Sequence, residues 1–324
     1  MPPPLRPVPR VTLAAAGVLI AAVGATFLGQ ASGPGHRDPS AAAAALGADT
    51  AAPAAPSWAR TVSGRMVRVD PKRYATPLHP EALTHPDADT MGSTVRGHEP
   101  SAGVAPNPIN PDAAVPHLPG IDVSSNQGAI DWASAAPGLD FVYAKATEGT
   151  YYRNPDFYAQ YDGPYQHGVT RGAYHFAIPD NSGGAAQADY FIAHGGGWTG
   201  DGATLPGALD IEYNPYGSAC YGLTPTAMTG WIWNFVNEYA AREHVYPVIY
   251  STTEWWRACT GNAGGFGQYD PFWVANYSAT GGGTLPAGWS FYTFWQYSDH
   301  GRLPGDQDVF DGALTQLKRL AAKG

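Results

Sequence analysis

In Gly207-Ala208-Leu209-Asp210-Ile211-Glu212, two carboxylates alternate with apolar residues. Residues i and i+2 of a strand share a face. Asp210 and Glu212 therefore project together, while Leu209 and Ile211 turn to a core. Two like charges held side by side raise at least one pKa. That yields one acid and one base from two similar side chains, the pairing glycoside hydrolysis uses.

The surroundings of this run repeat its character. Short apolar segments at 119–123, 140–146, 171–177, 205–212, 246–250, 272–276, 291–297 and 308–310 read as strands. Helical spacing predicts helices near 154–166, 184–194 and 224–243. The last is the clearest: Thr224 is placed to cap it, Pro225 opens it, and Met228, Ile232, Phe235 and Tyr239 recur on one face. Strand–helix alternation predicts a parallel sheet with right-handed crossovers. About eight strands in about 200 residues predicts an α/β fold, an irregular (β/α)-type barrel with fewer helices than strands. The late strands leave little room for helices between them, so that half is expected to be irregular.

Composition divides the 324 residues in two. Of 10 Trp and 19 Tyr, only Trp58 and Tyr74 precede residue 117, whereas 18 of 30 Pro lie in 1–116. A Pro/Ala-rich polar stretch cannot build an aromatic core. One folded domain is expected over 117–324, behind a largely disordered leader. In that leader, Arg6 and Arg10 precede Val11–Leu28, eighteen residues without charge, and Gly29-Gln30-Ala31 offers small residues for cleavage. Residues 1–31 thus read as a signal peptide, with retention as an anchor the alternative. Residues 32–116 read as a linker or propeptide. A basic cluster, Arg60, Arg65, Arg68, Lys72 and Arg73, is expected to be solvated, with docking on an anionic wall polymer the sharper alternative. The leader carries 9 basic and 8 acidic residues and the domain 9 and 19, nets of +1 and −10. An acidic domain argues against nucleic acid as a partner. Cys220 and Cys259, two cysteines in an exported chain, suggest one disulfide. No Cys-x-x-Cys or tight His spacing points to a metal.

Functional residues of such barrels cluster at the C-terminal ends of strands. Four acids fit: Asp122 in Gly120-Ile121-Asp122-Val123-Ser124, Asp210, Glu212, and Asp306 in Gly305-Asp306-Gln307-Asp308-Val309-Phe310. Near these ends stand Tyr143, Tyr174, Trp273, Tyr277, Trp295 and Tyr297, with Asn276 and Gln296. Aromatic faces stack on sugar rings and amides meet hydroxyls, although about half of such aromatics belong to a core. Other chemistries lack their motifs: there is no Gly-x-Ser-x-Gly elbow and no phosphate loop. His175, inside Gly172-Ala173-Tyr174-His175-Phe176, reads as a hydrogen-bonded packing residue.

Five segments in order resemble family 25 glycoside hydrolases, the Chalaropsis-type lysozymes or N-acetylmuramidases. They are Gly120–Ser124, Phe141-Val142-Tyr143-Ala144-Lys145-Ala146-Thr147-Glu148-Gly149, Gly172–Phe176, Leu209–Glu212 and Phe294-Trp295-Gln296-Tyr297. The resemblance covers essentially all of 117–324 and none of the leader. It implies hydrolysis of the β-1,4 bond from N-acetylmuramic acid to N-acetylglucosamine in peptidoglycan. It also implies an irregular barrel and no cofactor. Carried over by motif, Glu212 resembles the general acid, and Asp210 the residue that orients or stabilises the reacting sugar through its 2-acetamido group. Asp122 and Asp306 would line the cleft. Direct inverting attack by water remains the competing route. The last motif of the family usually reads Asp-x-Asn, and here Asp308 stands in the Asn place, which is expected to add a negative charge near Glu212. The implied partner is peptidoglycan glycan strands, met by a secreted monomer, extracellular or wall-associated, without stable membrane association once the signal is cleaved.

Two other functions compete. A chitinase-like hydrolase would carry Asp-x-Asp-x-Glu, but Ala208 stands two residues before Asp210. A non-catalytic wall-binding protein would not need Asp122, Asp210 and Glu212 together.

Overall fold

The computed structural model describes residues 89–99, 117–277 and 281–324, and the backbone of the antiparallel pair Ser57–Arg60 and Met66–Val69. All belong to one compact unit, 52–324. The expected signal peptide, the basic cluster as a group and most of the expected linker lie outside the described residues.

Eight strands close into a barrel: β1 His117–Val123, β2 Phe141–Glu148, β3 Thr170–Phe176, β4 Ala208–Asp210, β5 Val248–Ser251, β6 Phe272–Ala275, β7 Phe294–Ser298 and β8 Asp306–Asp311. Neighbours β1 through β7 run parallel from β1–β2 to β6–β7. β8 closes the ring antiparallel to both β7 and β1, with Asp306 opposite Asp122. This departs from the all-parallel expectation. Only residues 299–305 separate β7 from β8, too few for a crossover, so the chain must return as a hairpin.

Parallel strands covered on both faces are buried throughout, and every residue of β2 is. Alternation divides the core in two. One cluster, with Phe141, Tyr143, Tyr174, Trp273 and Phe294, fills the barrel interior. The other, with Ile121, Val142, Leu209, Ile249 and Trp295, meets the surrounding helices.

Seven α-helices occur among the described residues, fewer than the strands. The longer ones are α1 Phe157–Gln166, α2 Gly184–Phe191, α3 Pro225–Glu243, α4 Thr253–Thr260 and α5 Leu314–Lys323. The Thr224 hydroxyl caps α3 by accepting from the Ala227 N–H, and Met228, Ile232, Phe235 and Tyr239 are buried as their spacing predicts. α2 stops three residues early, in a wide turn through Gly195 at φ +129°. α4 and α5 were not expected. Each is only a few turns long, and α4 sits in the half read as irregular. Cys220 and Cys259 form a disulfide with Cα atoms 5.3 Å apart, tying the approach to α3 to the end of α4.

Candidate active site

The carboxylates converge at one mouth of the barrel because β1 and β4 end there and the antiparallel β8 begins there with Asp306. Asp122 lies on β1 opposite Asp306 of β8. Asp210 ends β4 beside Tyr250 of β5. The Ile211 N–H still bonds to the Tyr250 carbonyl at 3.1 Å, so the extended backbone carries Glu212 to the same face as Asp210. Asp122, Asp210, Glu212 and Asp308 are all buried.

Gln296 ties this group together. Its amide donates to Asp122 Oδ2 at 2.8 Å and Asp306 Oδ2 at 3.1 Å, while its carbonyl oxygen accepts from the hydroxyls of Tyr250 at 2.7 Å and Tyr277 at 2.9 Å. The amide thus separates two acids that would otherwise repel. Beneath them the Trp273 indole N–H donates to Asp308 Oδ1 at 3.1 Å.

Burial dominates the electrostatics. It pushes Glu212 up to about 7 against the opposing donors Thr94 and Gly92, and Asp122 up to about 7 against Gln296 and Asp308. Asp210 is driven well above the ordinary carboxylate range by burial and then by the charge of Glu212. Both of its oxygens are buried without a hydrogen-bond partner. Asp306 and Asp308 rise likewise, first from burial and then from Asp122. The second oxygen of Asp308 is buried without a partner, so the carboxyl in the Asn place is pushed toward its neutral form. A charge expected from the residue type alone is suppressed by desolvation.

Residues 121–306, more than half of the chain, match the family described as Glycosyl hydrolases family 25. The chain belongs to this family. Among relatives, Lysozyme M1 of Streptomyces globisporus is 49% identical over 208 residues, which span 62% of this chain and 70% of that protein. An N,O-diacetylmuramidase of Chalaropsis sp is 46% identical over 206 residues, 62% of this chain and 98% of that protein. The structure of a muramidase from Acremonium alcalophilum superposes with a TM-score of 0.62 at 52% identity, covering 64% of this chain and all of that one.

Within the family 25 barrel, the residues expected to bind substrate separate. Gln296 reaches the carboxylates directly, and Tyr277 donates to Gln296, while the Tyr174 hydroxyl accepts from the Met91 N–H at 3.4 Å. Trp273 forms the floor. Tyr143 sits deeper, its hydroxyl donating to the Pro206 carbonyl at 3.0 Å. Trp295 occupies the other parity of β7, and Asn276 follows the end of β6. Trp295 packs near Tyr292 and Tyr297, its indole N–H bonding to the Asn276 carbonyl, and the Asn276 amide holds the Gly281 carbonyl. His175 is a packing residue as expected. Thr147 and Gln187 hold both ring nitrogens, and burial lowers it to about 3, so it is neutral.

Two features of this family 25 site were not singled out in the sequence. Tyr250 lies one residue before the end of Val248-Ile249-Tyr250-Ser251, and its place near a strand end was the available signal. Lys145 is buried between Glu148 and Asp89, at 2.8 and 2.9 Å. A lysine inside the apolar run Phe141–Ala146 needs a counter-ion, and Glu148 three residues on was the visible candidate. Among the described residues, no group of His, Cys, Asp or Glu is arranged to hold a metal ion.

Proposed function

We propose that the chain is a lysozyme hydrolysing the β-1,4 bond from N-acetylmuramic acid to N-acetylglucosamine in peptidoglycan, with Glu212 as general acid. The observation that carries the assignment is Glu212 itself: buried at the mouth of a family 25 barrel, pushed up to about 7, and flanked by a second raised acid, Asp210. A general acid must hold its proton until the leaving oxygen needs it. The relatives named muramidase and lysozyme supply the substrate class.

Asp210 is assigned the reacting sugar. An inverting pair needs carboxyls roughly 6.5–9.5 Å apart to admit a water. Asp210 feels the charge of Glu212 and keeps both oxygens free of protein partners, which suits Asp210 orienting the sugar's own acetamido group as internal nucleophile. That group would attack the anomeric carbon as Glu212 protonates the departing oxygen, and water would then open the ring formed. Retention follows, and NMR of the first product's anomer checks it. Action outside the cell on wall glycan, by a monomer, completes this reading. The motif resemblance and the apolar run behind Arg6 and Arg10 support it.

Mass spectrometry of fragments released from purified peptidoglycan tests the whole assignment. Reducing-end muramic acid, absent with Glu212→Gln, is expected. Reducing-end N-acetylglucosamine would mean the wrong bond, and unchanged release by Glu212→Gln would remove the general-acid role.

A further inference from the structure

Residues 89–99 lie outside the span matched to the family, yet they occupy the mouth of the barrel. Asp89, Met91 and Val95 are buried there as completely as core residues. The Gly92 N–H donates to Glu212 Oε1 at 2.6 Å, and the Thr94 hydroxyl donates to the other oxygen of Glu212. The Gly92 carbonyl accepts from Tyr277 at 3.2 Å, and the Met91 carbonyl from Gln296 at 3.3 Å.

Both ends of the segment are anchored. At one, Asp89 accepts from Lys145 at 2.9 Å and from the Tyr216 hydroxyl at 2.6 Å. At the other, Arg96 pairs with Asp299, the His98 ring stacks on Tyr213 at 4.1 Å, and Glu99 accepts from Tyr213 and Thr252 at 2.8 and 2.6 Å. The helical turn Val95–His98 presents Arg96 and His98 to these partners.

From this geometry we infer that residues 89–99 are an intramolecular inhibitor that seals the substrate cleft and keeps the enzyme latent. The inference rests on the muramidase reading of the cleft. Three features show a fitted occupant rather than a passing contact. First, the segment saturates Glu212, the group that must protonate the glycosidic oxygen, with two donors. Both favour its carboxylate form, the wrong form for a general acid. Second, Asp89 supplies the counter-ion for buried Lys145, while Glu148, its other acidic neighbour, is held toward the neutral form chiefly by burial. Third, the closest approach is made by Gly92 at φ +83°, where a Cβ would stand 2.2 Å from the Tyr277 hydroxyl and 2.5 Å from Gln296 Oε1. Only glycine fits that backbone at that depth.

The inhibitor and the barrel are joined through residues 100–116. Hydrolysis of one peptide bond there by an endopeptidase consumes a water and leaves a new carboxylate and a new ammonium. The part of the chain before the cut, which carries residues 89–99, then becomes a separate molecule that dilution removes. Latency would last until that cut.

The test uses the full chain with Gly92→Val, a change outside the catalytic groups. Hydrogen exchange should show 89–99 protected in the wild type and unprotected in the variant. Release of reducing ends from peptidoglycan should rise about tenfold or more in the variant, the shift expected when a mostly closed equilibrium opens. A synthetic peptide of residues 89–99 should inhibit the variant by raising KM with kcat unchanged, and the same peptide with Gly92→Val should not. Equal rates for wild type and variant, or an unprotected segment in the wild type, would overturn the proposal. A variant that is inactive on the wall, yet binds a soluble muropeptide the wild type excludes, would uphold the seal and instead overturn the muramidase reading.

Discussion

Replacing Asp308 by Asn removes a titratable proton from the floor of the cleft while keeping the shape of the side chain. Asp308 accepts from the Trp273 indole N–H through one oxygen, and its other oxygen is buried without a partner. An asparagine keeps the first contact through its carbonyl and carries no titratable proton. The difference is linkage. Burial, then Asp122 and Asp306, hold the Asp308 carboxyl well above its ordinary 3.8. The folded state therefore keeps a proton that the unfolded chain releases. Such a group costs stability progressively as pH rises from about 4 toward its folded value, at up to about 1.4 kcal/mol per pH unit. Sharing among Asp122, Asp306 and Asp308 reduces this by about half, so between pH 5 and 7 the wild type should lose roughly 1–2 kcal/mol that the Asn variant keeps. For a domain of this size that is about 3–6 °C in Tm. Urea unfolding followed by tryptophan fluorescence at pH 4.5, 6 and 7.5 reads the slope. Equal stability at pH 4.5 and a growing advantage for Asp308→Asn are expected, with muropeptide release at pH 5 within about threefold of wild type. An Asn variant less stable at pH 7.5, with the slope unchanged, would mean that Asp308 is ionised, and the account of this floor would fail.

Three further outcomes follow from the same physics. Glu212, raised to about 7 chiefly by burial, acts only when protonated, so kcat/KM should fall about tenfold per pH unit above that value; a profile flat to pH 9 would refute the role. Asp270 is buried with both carboxyl oxygens unpartnered, and burial pushes it up to about 8. Asp270→Asn should therefore gain on the wild type as pH rises from 4 to 8, reaching about 1–3 kcal/mol in denaturant titrations, and a gain that does not grow with pH would count against it. Cys259→Ser opens a cross-link between residues 39 apart; the loss should approach about 4 kcal/mol, and reductant should lower the Tm of the wild type but not of the variant.

The site was legible where one residue type and one local period suffice. Leu209-Asp210-Ile211-Glu212 announced its two faces because side-chain direction in a strand alternates whatever the rest of the fold does. His175 could be assigned to packing because a lone imidazole in an apolar strand is neutral once its nitrogens are held. Aromatic residues were harder. Trp273 and Trp295 lie in similar strands at similar distances from their ends, yet one forms the floor and the other faces the helices. Their roles separate only when the strand register is known. At the Asn place taken by Asp308, a sequence shows the carboxyl and not its desolvation.

By itself, the sequence determined the barrel domain, the order of its strands, the cap and buried face of α3, and the gathering of Asp122, Asp210, Glu212 and Asp306 at strand ends. Each of these follows from local periodicity and residue chemistry. Tertiary structure decided the antiparallel return of β8, the burial of Asp308, the Gln296 bridge between Asp122 and Asp306, and the seating of residues 89–99 on Glu212. Each of those depends on partners far apart in the chain and on how much water the packing removes. Gly92 and Glu212 are 120 residues apart, and no local pattern encodes a contact made across that distance.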